Sequence, residues 1–150
     1  MSPNCPLMRM SLLICLICLA VAVPGCDLFT GRVESEPNDD FGTANDLPLG
    51  LVLRGRIYPS GDVDVYSVAV PSTNGLGATV EPCSHLKVVI EIYDAQHNLL
   101  MPGRRTGHQS GLTAYNGIDS VPPGTYYFRV YDKEDRACRE WYTIHAYTFH

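Results

Sequence analysis

Short runs of apolar and β-branched residues that alternate with polar residues recur from about residue 51 to the end of the chain. A period of two places successive side chains on opposite faces of a β-strand. Turn-forming residues separate the runs, and Ser60, Gly61 and Asp62 stand between the first two. The 13 Gly and 11 Pro favour many turns over long helices. The pattern predicts an all-β protein, an antiparallel β-sandwich, with strands at 51–57, 63–70, 86–93, 99–101, 112–115, 126–131 and 141–149.

Length and charge limit the classes of protein to which the chain can belong. Its 150 residues suffice for one domain and a short targeting segment, but not for two folded modules. The formal net charge is −5, and the 11 Lys and Arg are scattered along the chain. Because a phosphate-tracking surface needs concentrated positive charge, nucleic acid is not an expected partner.

The N-terminus has the organisation of an export signal. Arg9 is the only charged side chain before Asp27, and an apolar stretch follows it as far as Val23. A basic segment followed by about a dozen apolar residues is typical of signal peptides and is too short for an ordinary membrane-spanning helix. The next residues complete the sequence Val23-Pro24-Gly25-Cys26, which resembles the lipobox of bacterial lipoproteins.

This resemblance implies a lipoprotein signal peptide at 1–25, cleavage after Gly25, and a diacylglycerol thioether on Cys26. Residues 26–33 would then be a tether to a domain at 34–150. The expected location is the bacterial cell envelope, with the chain lipid-anchored to the inner or outer membrane and the domain outside the cytoplasm. The alternative is a secretory signal cut at a nearby small residue, with Cys26 an ordinary cysteine.

The positions of the cysteines matter more than their number. Three of the six lie within the signal and would leave with it, and Cys26 is assigned to the lipid. The remaining pair, Cys83 and Cys138, would lie outside the cytoplasm, where disulfides persist. The sequence therefore predicts a disulfide between them, and the alternative is two buried free thiols.

Half of the 16 acidic residues lie between Asp27 and Asp64. Crowded carboxylates and amides repel one another unless a cation lies among them, and Ca²⁺ binds six to eight such oxygens with flexible geometry. A solvated acidic loop with Asx-type turns is the alternative. The polar residues form two groups, Glu34, Glu36, Asn38, Asp39 and Asp40, and then Asp62 and Asp64.

Several motifs together resemble a known family, the bacterial pre-peptidase C-terminal domain, which includes the collagen-binding modules of clostridial collagenases. The resemblance covers about 33–149, nearly all of the chain beyond the signal and tether. Its motifs occur in the family's order: Glu36-Pro37-Asn38-Asp39, the Thr43-Ala-Asn-Asp-Leu47 segment, Gly61-Asp62-Val63-Asp64-Val65-Tyr66, and the segment from Pro123 to Val130.

The resemblance implies a jelly-roll-like β-sandwich that is not catalytic and that binds calcium in some members. Carried over by position, the acidic segment supplies ligands together with Asp64 at the start of a strand. The family's other acid at that strand falls at Gly61, and Asp62 beside it is the expected replacement. The implied calcium ligands are Glu34, Glu36, Asn38, Asp39, Asp62 and Asp64.

The sequence contains no recognisable catalytic pattern. The run 107–111 lacks the centred serine that a nucleophile elbow requires. Three histidines fall in turn-rich segments, and His145 alternates within a predicted strand, as surface histidines do. No His-x-x-x-His pair and no Gly-rich phosphate loop occurs. The chain is therefore predicted not to be an enzyme.

The last two predicted strands carry many aromatic residues at alternating positions. Since one face of each strand must belong to the core, the other presents aromatic rings and an arginine to solvent, as recognition surfaces do. Cross-strand aromatic pairs that only stabilise the sheet are the alternative. The residues expected at a ligand-binding surface are Tyr127, Arg129, Tyr142 and Tyr147.

These features together predict a lipid-anchored, non-catalytic envelope binding module, stabilised by calcium, that recognises protein or polysaccharide. A second hypothesis is a structural or accessory envelope lipoprotein that assists a separately encoded secreted enzyme, since the resembled family is usually attached to proteases. A small hydrolase is a third.

Overall fold

The computed structural model describes residues 32–104 and 113–150. The predicted signal peptide, Cys26, most of the tether and His108 therefore lie outside the described residues. Within those two stretches, no helix has the length and apolar character needed to cross a bilayer. The described strands are β1 (Arg32–Val33), β2 (Asn45–Asp46), β3 (Val52–Gly55), β4 (Val63–Val70), β5 (Asn74–Glu81), β6 (Val88–Tyr93), β7 (Leu99–Arg104), β8 (Ala114–Val121), β9 (Gly124–Asp132) and β10 (Tyr142–Phe149).

The strands form two five-stranded sheets. The first sheet has the order β1-β3-β10-β5-β8, and the second has the order β2-β4-β9-β6-β7. The predicted all-β sandwich is confirmed. The sheets are mixed and not wholly antiparallel, because β1 pairs with β3, and β2 with β4, in parallel. Each parallel pair is two residues long and joins segments separated by a long connection, which parallel pairing requires.

The core lies between the sheets and follows the period of two. Phe128 from the second sheet and Ile144 from the first are fully buried, and Val130 and Ala146, two positions further along each strand, are buried too. Cys83 and Cys138 belong to the same cluster, with 6% and 4% of their surfaces exposed. The predicted disulfide between them is confirmed.

Strand β5 is central to the first sheet, yet its sequence does not predict a strand. Gly75 and Gly77 weaken the β-forming pattern there. Both glycines lie on the outer face of the sheet, where aromatic rings occupy the space that a side chain would need. A Cβ at Gly75 would lie 2.5 Å from the ring of Phe149, and one at Gly77 would lie 3.2 Å from the ring of Tyr147. Rings from β10 thus lie flat against the β5 backbone.

The connection from β1 to β2 passes from the first sheet to the second and is fastened along β4. The backbone amide of Val65 donates to the carbonyl oxygen of Asn38 at 2.9 Å, and that of Leu47 donates to Ser67 at 2.8 Å. These bonds place the acidic segment 34–40 against the first residues of β4.

Candidate metal centre

The predicted calcium ligands converge, although they come from two separate stretches of chain. Single carboxylate oxygens of Glu34, Glu36 and Asp64 all lie within 4.8 Å of one another. One carboxylate oxygen each of Glu36, Asp39 and Asp62 also lie within 4.8 Å of one another. Because Glu36 belongs to both triads, the five carboxylates form one continuous cluster, here called the acidic cluster.

Asp64 is the buried end of the acidic cluster. Strand alternation places it on the core face of β4 with Tyr66 and Val68, and its side chain is 0% exposed. Its Oδ2 accepts a hydrogen bond from the Tyr142 hydroxyl at 2.5 Å. Burial, and then the neighbouring Glu34, raise the pKa of Asp64 to about 9. In the absence of a cation this carboxyl therefore keeps its proton at neutral pH.

Glu34 is oriented through both of its oxygens. The Tyr66 hydroxyl donates to Oε2 at 2.6 Å, and the backbone amide of Arg56 donates to Oε1 at 2.5 Å. Burial raises the pKa of Glu34 to about 7 despite these bonds. Without a cation, about half of the molecules therefore carry a proton on Glu34 near neutral pH.

A pair of buried tyrosines links these two carboxylates. The hydroxyl oxygens of Tyr66 from the second sheet and Tyr142 from the first are in contact with each other. Gly55 makes room for the pair, because a Cβ there would lie 2.4 Å from both hydroxyl oxygens. Sequence reasoning did not find this role, although the alternation that buries Val68 also indicates a buried Tyr66.

Asn38 is fully buried beside the carboxylates. In one amide orientation its oxygen faces Glu36 Oε2 at 2.8 Å and Asp64 Oδ1 at 3.2 Å. In the other, the amide nitrogen donates to those same atoms and the oxygen accepts from Asn45 at 2.9 Å. The first orientation gathers three oxygens around one point, as a cation requires, and the second satisfies the group without a cation.

Asp62 joins the outer part of the acidic cluster. Its oxygens accept from the backbone amides of Tyr58 at 2.6 Å and Val63 at 3.0 Å, which fixes the side chain. Partial burial, and then the other acids, raise the pKa values of Asp62 and Glu36. Gly61 has φ of 81°, a left-handed conformation that favours glycine, so the turn accounts for the missing acid at that position.

The acidic cluster has no cationic partner in the part of the chain that the structure describes. The ion pairs found there involve Glu91, Asp132 and Glu134 and none of the five clustered carboxylates. Asp40 takes the Asx-turn alternative, since it accepts from the backbone amides of Gly42 and Thr43. The two overlapping triads of carboxylates consist of hard oxygen donors, the type that Ca²⁺ binds.

Comparison with known proteins identifies the architecture. No protein-family model matches the chain. Over 100 residues it is 27% identical to collagenase ColT of Clostridium tetani, covering 65% of this chain but only 10% of the collagenase. The fold resembles the crystal structure of the pre-peptidase C-terminal domain of Bacillus anthracis collagenase, with a TM-score of 0.57 and 18% identity over 75% of this chain and 99% of that domain.

This chain has the fold of a pre-peptidase C-terminal domain. The resemblance indicated by the motifs is thereby confirmed at the level of the fold. PliG of Aeromonas hydrophila, a periplasmic inhibitor of g-type lysozyme, is a further structural match, with a TM-score of 0.47 and 13% identity over 71% of this chain and 97% of that one. At that TM-score the similarity carries no argument about this chain.

The pre-peptidase C-terminal fold separates the residues predicted to form one ligand-binding surface. Tyr127 and Arg129 lie on the outer face of β9 in the second sheet, whereas Tyr147 lies on the outer face of β10 in the first. Tyr142 is excluded from any surface because it is 1% exposed and points into the core. The prediction of a single face was wrong, since β9 and β10 belong to different sheets.

Around Tyr127 the second sheet assembles an aromatic surface. The rings of Phe41 and His97 stack at 4.1 Å, and Phe41 meets Tyr93 and Tyr127 edge-on at 5.1 and 5.2 Å. Arg129 lies beside this group and pairs with Glu91 at 3.1 Å. Phe41, Tyr93, His97 and Tyr127 are here called the Tyr127 face; sequence reasoning found only its last member, because the others come from three separate connections and strands.

Proposed function

We propose that this chain is a lipid-anchored, non-catalytic binding module of the bacterial envelope, stabilised by a calcium ion. The observation that carries the proposal is the acidic cluster, in which two triads of carboxylates share Glu36 and have no cationic side chain to pair with in the described chain. Its position between the segment 34–40 and the start of β4 makes it a structural site.

The ligands of the ion would be Glu34, Glu36, Asn38, Asp39, Asp62 and Asp64. A bound ion supplies positive charge that offsets the mutual repulsion of the carboxylates. Tyr66 and Tyr142 hold two of the carboxylates in place, and Asn38 would turn its oxygen away from Asn45 and towards the ion on binding. Binding therefore fastens the acidic segment to β4 and stiffens the part of the domain next to the tether.

Thermal unfolding in millimolar calcium and in chelator tests this site. The unfolding midpoint is expected to rise with calcium. An unchanged midpoint would contradict a calcium site.

The proposed ligand surface is the Tyr127 face, and its partner is a protein or a polysaccharide. Clustered rings beside an arginine and a carboxylate provide stacking surfaces together with directional polar groups, a composition enriched at recognition sites. The similarity to a collagenase adds collagen to the ligands worth testing.

Retention on immobilised collagen, peptidoglycan and polysaccharides tests the ligand surface. Tyr127→Ala is expected to lose retention, whereas the matched control Tyr115→Ala, which removes a tyrosine that is 40% exposed on the other sheet, is expected to keep it. Equal retention of both variants would refute the Tyr127 face. If the chain retained envelope proteins and no matrix, the accessory role beside a secreted enzyme would be favoured instead.

The proposed anchor rests on the likeness of Val23-Pro24-Gly25-Cys26 to a lipobox. Two or three acyl chains, at about 0.8 kcal/mol for each buried methylene, would hold the protein to the membrane almost irreversibly. Fractionation of Cys26→Ser is the test. A variant that stays in the membrane fraction as firmly as the wild type would contradict lipidation.

A further inference from the structure

Exposed apolar side chains concentrate at one edge of the first sheet. Seven large apolar side chains are exposed in residues 32–104 and 113–150. Five of them lie in β1, in or beside β3, or directly before β10, and these are Val33, Leu51, Val52, Tyr58 and Trp141. We define the Trp141 patch as Val33, Val52, Arg54, Arg56, Tyr58 and Trp141.

The Trp141 patch is continuous. Val33 lies opposite Arg54 in the β1–β3 pair. The Arg56 guanidinium lies 3.9 Å from the centre of the Trp141 ring, and that of Arg54 lies 5.8 Å from it. Trp141 is 41% exposed and Tyr58 is 43% exposed, so both rings reach solvent.

The positive charge of the patch is unpaired. Neither Arg54 nor Arg56 forms an ion pair with a carboxylate in the described chain, and the Nε of each is shielded from solvent without a hydrogen-bond partner there. Arg139 adds a third guanidinium, which donates to the Tyr58 hydroxyl at 2.8 Å. In a chain of net charge −5, this patch combines exposed rings, aliphatic side chains and free cations.

That composition suits the surface of an anionic bilayer. Trp and Tyr prefer the level of the lipid headgroups, and arginines near the surface are attracted to anionic lipids. Five residues separate Cys26 from Arg32 of β1, so a lipid on Cys26 would lie within about 20 Å of this edge. We propose that the Trp141 patch docks on the anionic surface of the membrane; the nearness of that membrane rests on the proposed lipid anchor.

The acidic cluster affects this docking. Glu34 and Glu36 line a cleft of about 130 Å³ together with Arg56, Tyr58 and Trp141. Their negative charge opposes approach to an anionic membrane, and the proposed calcium ion would offset it. Docking through the first sheet leaves the outer face of the second sheet, with its Tyr127 face, directed away from the bilayer.

Trp141 is the only tryptophan in the chain, so its fluorescence reports on the patch directly. The full chain, purified from membranes of the expressing bacterium, is reconstituted in millimolar calcium into vesicles of phosphatidylglycerol and phosphatidylcholine, or of phosphatidylcholine alone. In the anionic vesicles we expect a blue-shifted emission that bromine-labelled lipids quench, and little of either in the neutral vesicles.

Two variants test the role of charge. Arg54→Gln and Arg56→Gln are each expected to lower the ratio of docked to undocked protein by about fivefold. Lys133→Gln removes an exposed positive charge directly after β9 of the second sheet and is expected to leave quenching unchanged.

Three results would overturn the proposal. Trp141 emission equal in vesicles and in detergent would show that the patch does not touch lipid. Emission that is blue-shifted but insensitive to bromine-labelled lipids would show that another part of the chain covers the patch. Equal quenching in neutral and anionic vesicles would refute the role of the arginines. Sedimentation of the protein with the vesicles reports whether the lipid anchor is present, and the unfolding midpoint reports whether calcium binds. Absence of the anchor or of the calcium site is therefore distinguishable from failure of the patch to dock.

Discussion

Replacing Asp64 by Asn removes the buried carboxyl group of the acidic cluster while keeping the shape of the side chain. In the calcium-free wild type, burial and then Glu34 raise the pKa of Asp64 from 3.8 to about 9. Because the folded-state pKa is raised, the stability from this group is fully present below pH 3.8 and is lost as the pH rises towards 9. At pH 7 the folded domain still holds a proton that the unfolded chain has released.

The structure gives a magnitude for this loss. About three pH units separate 3.8 from neutrality, and each unit corresponds to about 1.36 kcal/mol. The calcium-free wild type therefore loses at most about 4 kcal/mol of unfolding free energy by pH 7. Asparagine is neutral in both states, so Asp64→Asn is expected to be more stable than the wild type in chelator.

Calcium should offset much of this difference. At a concentration a hundredfold above its dissociation constant, an ion that binds only the folded state adds about 2.7 kcal/mol. At roughly 3 °C for each kcal/mol in a domain of this size, the wild-type midpoint should rise by about 8 °C. The Asp64→Asn domain lacks one charged ligand and should lose most of that rise.

Thermal unfolding of the full chain at pH 7, in calcium and in chelator, measures both effects. Asp119→Asn makes the same chemical change at an exposed position of β8 and serves as the matched control. The reasoning is refuted if Asp64→Asn is less stable than the wild type in chelator, or if it keeps the full calcium shift.

Three further predictions follow from the same contacts. Burial raises the pKa of Glu34 from 4.5 to about 7, so the stability that this group contributes is present below pH 4.5 and is lost towards pH 7. The calcium-free unfolding midpoint should therefore fall over that range, and a rising midpoint would contradict the assignment. Cys138→Ser opens a loop whose ends are 55 residues apart, so it should lower the free energy of unfolding by about 4 kcal/mol. Urea unfolding under oxidising conditions measures this loss, and an unchanged urea midpoint would contradict a stabilising disulfide. Gly55→Ala places a Cβ 2.4 Å from the hydroxyl oxygens of Tyr66 and Tyr142, so it should lower the free energy of unfolding by about 1–3 kcal/mol. It should also weaken the calcium-induced rise in the unfolding midpoint, and a full calcium response would show that the tyrosine pair does not orient the carboxylates.

Local pattern predicted several strands well because a strand's period of two is written in consecutive residues. The prediction of 63–70 coincides with β4, and that of 141–149 differs from β10 by one residue. Strand β5 escaped prediction because the reason for Gly75 and Gly77 is a pair of rings from the far end of the chain. The extension of β8 to Val121 was also missed; Gly117 lies in that part of the strand and accommodates the Tyr115 side chain.

The candidate site divides in the same way. The acidic residues of the candidate site were predictable, because crowded carboxylates are the donors that a hard cation such as Ca²⁺ binds. Their partners were not, because Tyr66 and Tyr142 come from different sheets and are 76 residues apart. Tyr142 was misplaced on a surface although alternation puts it and Tyr147 on opposite faces of β10, and the structure shows that its face is the buried one.

The sequence by itself determined the β character, the cysteine pair and the acidic residues of the candidate site, since each depends on residue type and on spacing between near neighbours. Only the tertiary structure decided which of these carboxylates meet, which tyrosines orient them, and that the aromatic residues divide between two opposite faces. Those outcomes depend on how the two sheets pack and on the order of strands within each, and such long-range pairing is fixed by burial of the whole core and not by any local run of residues.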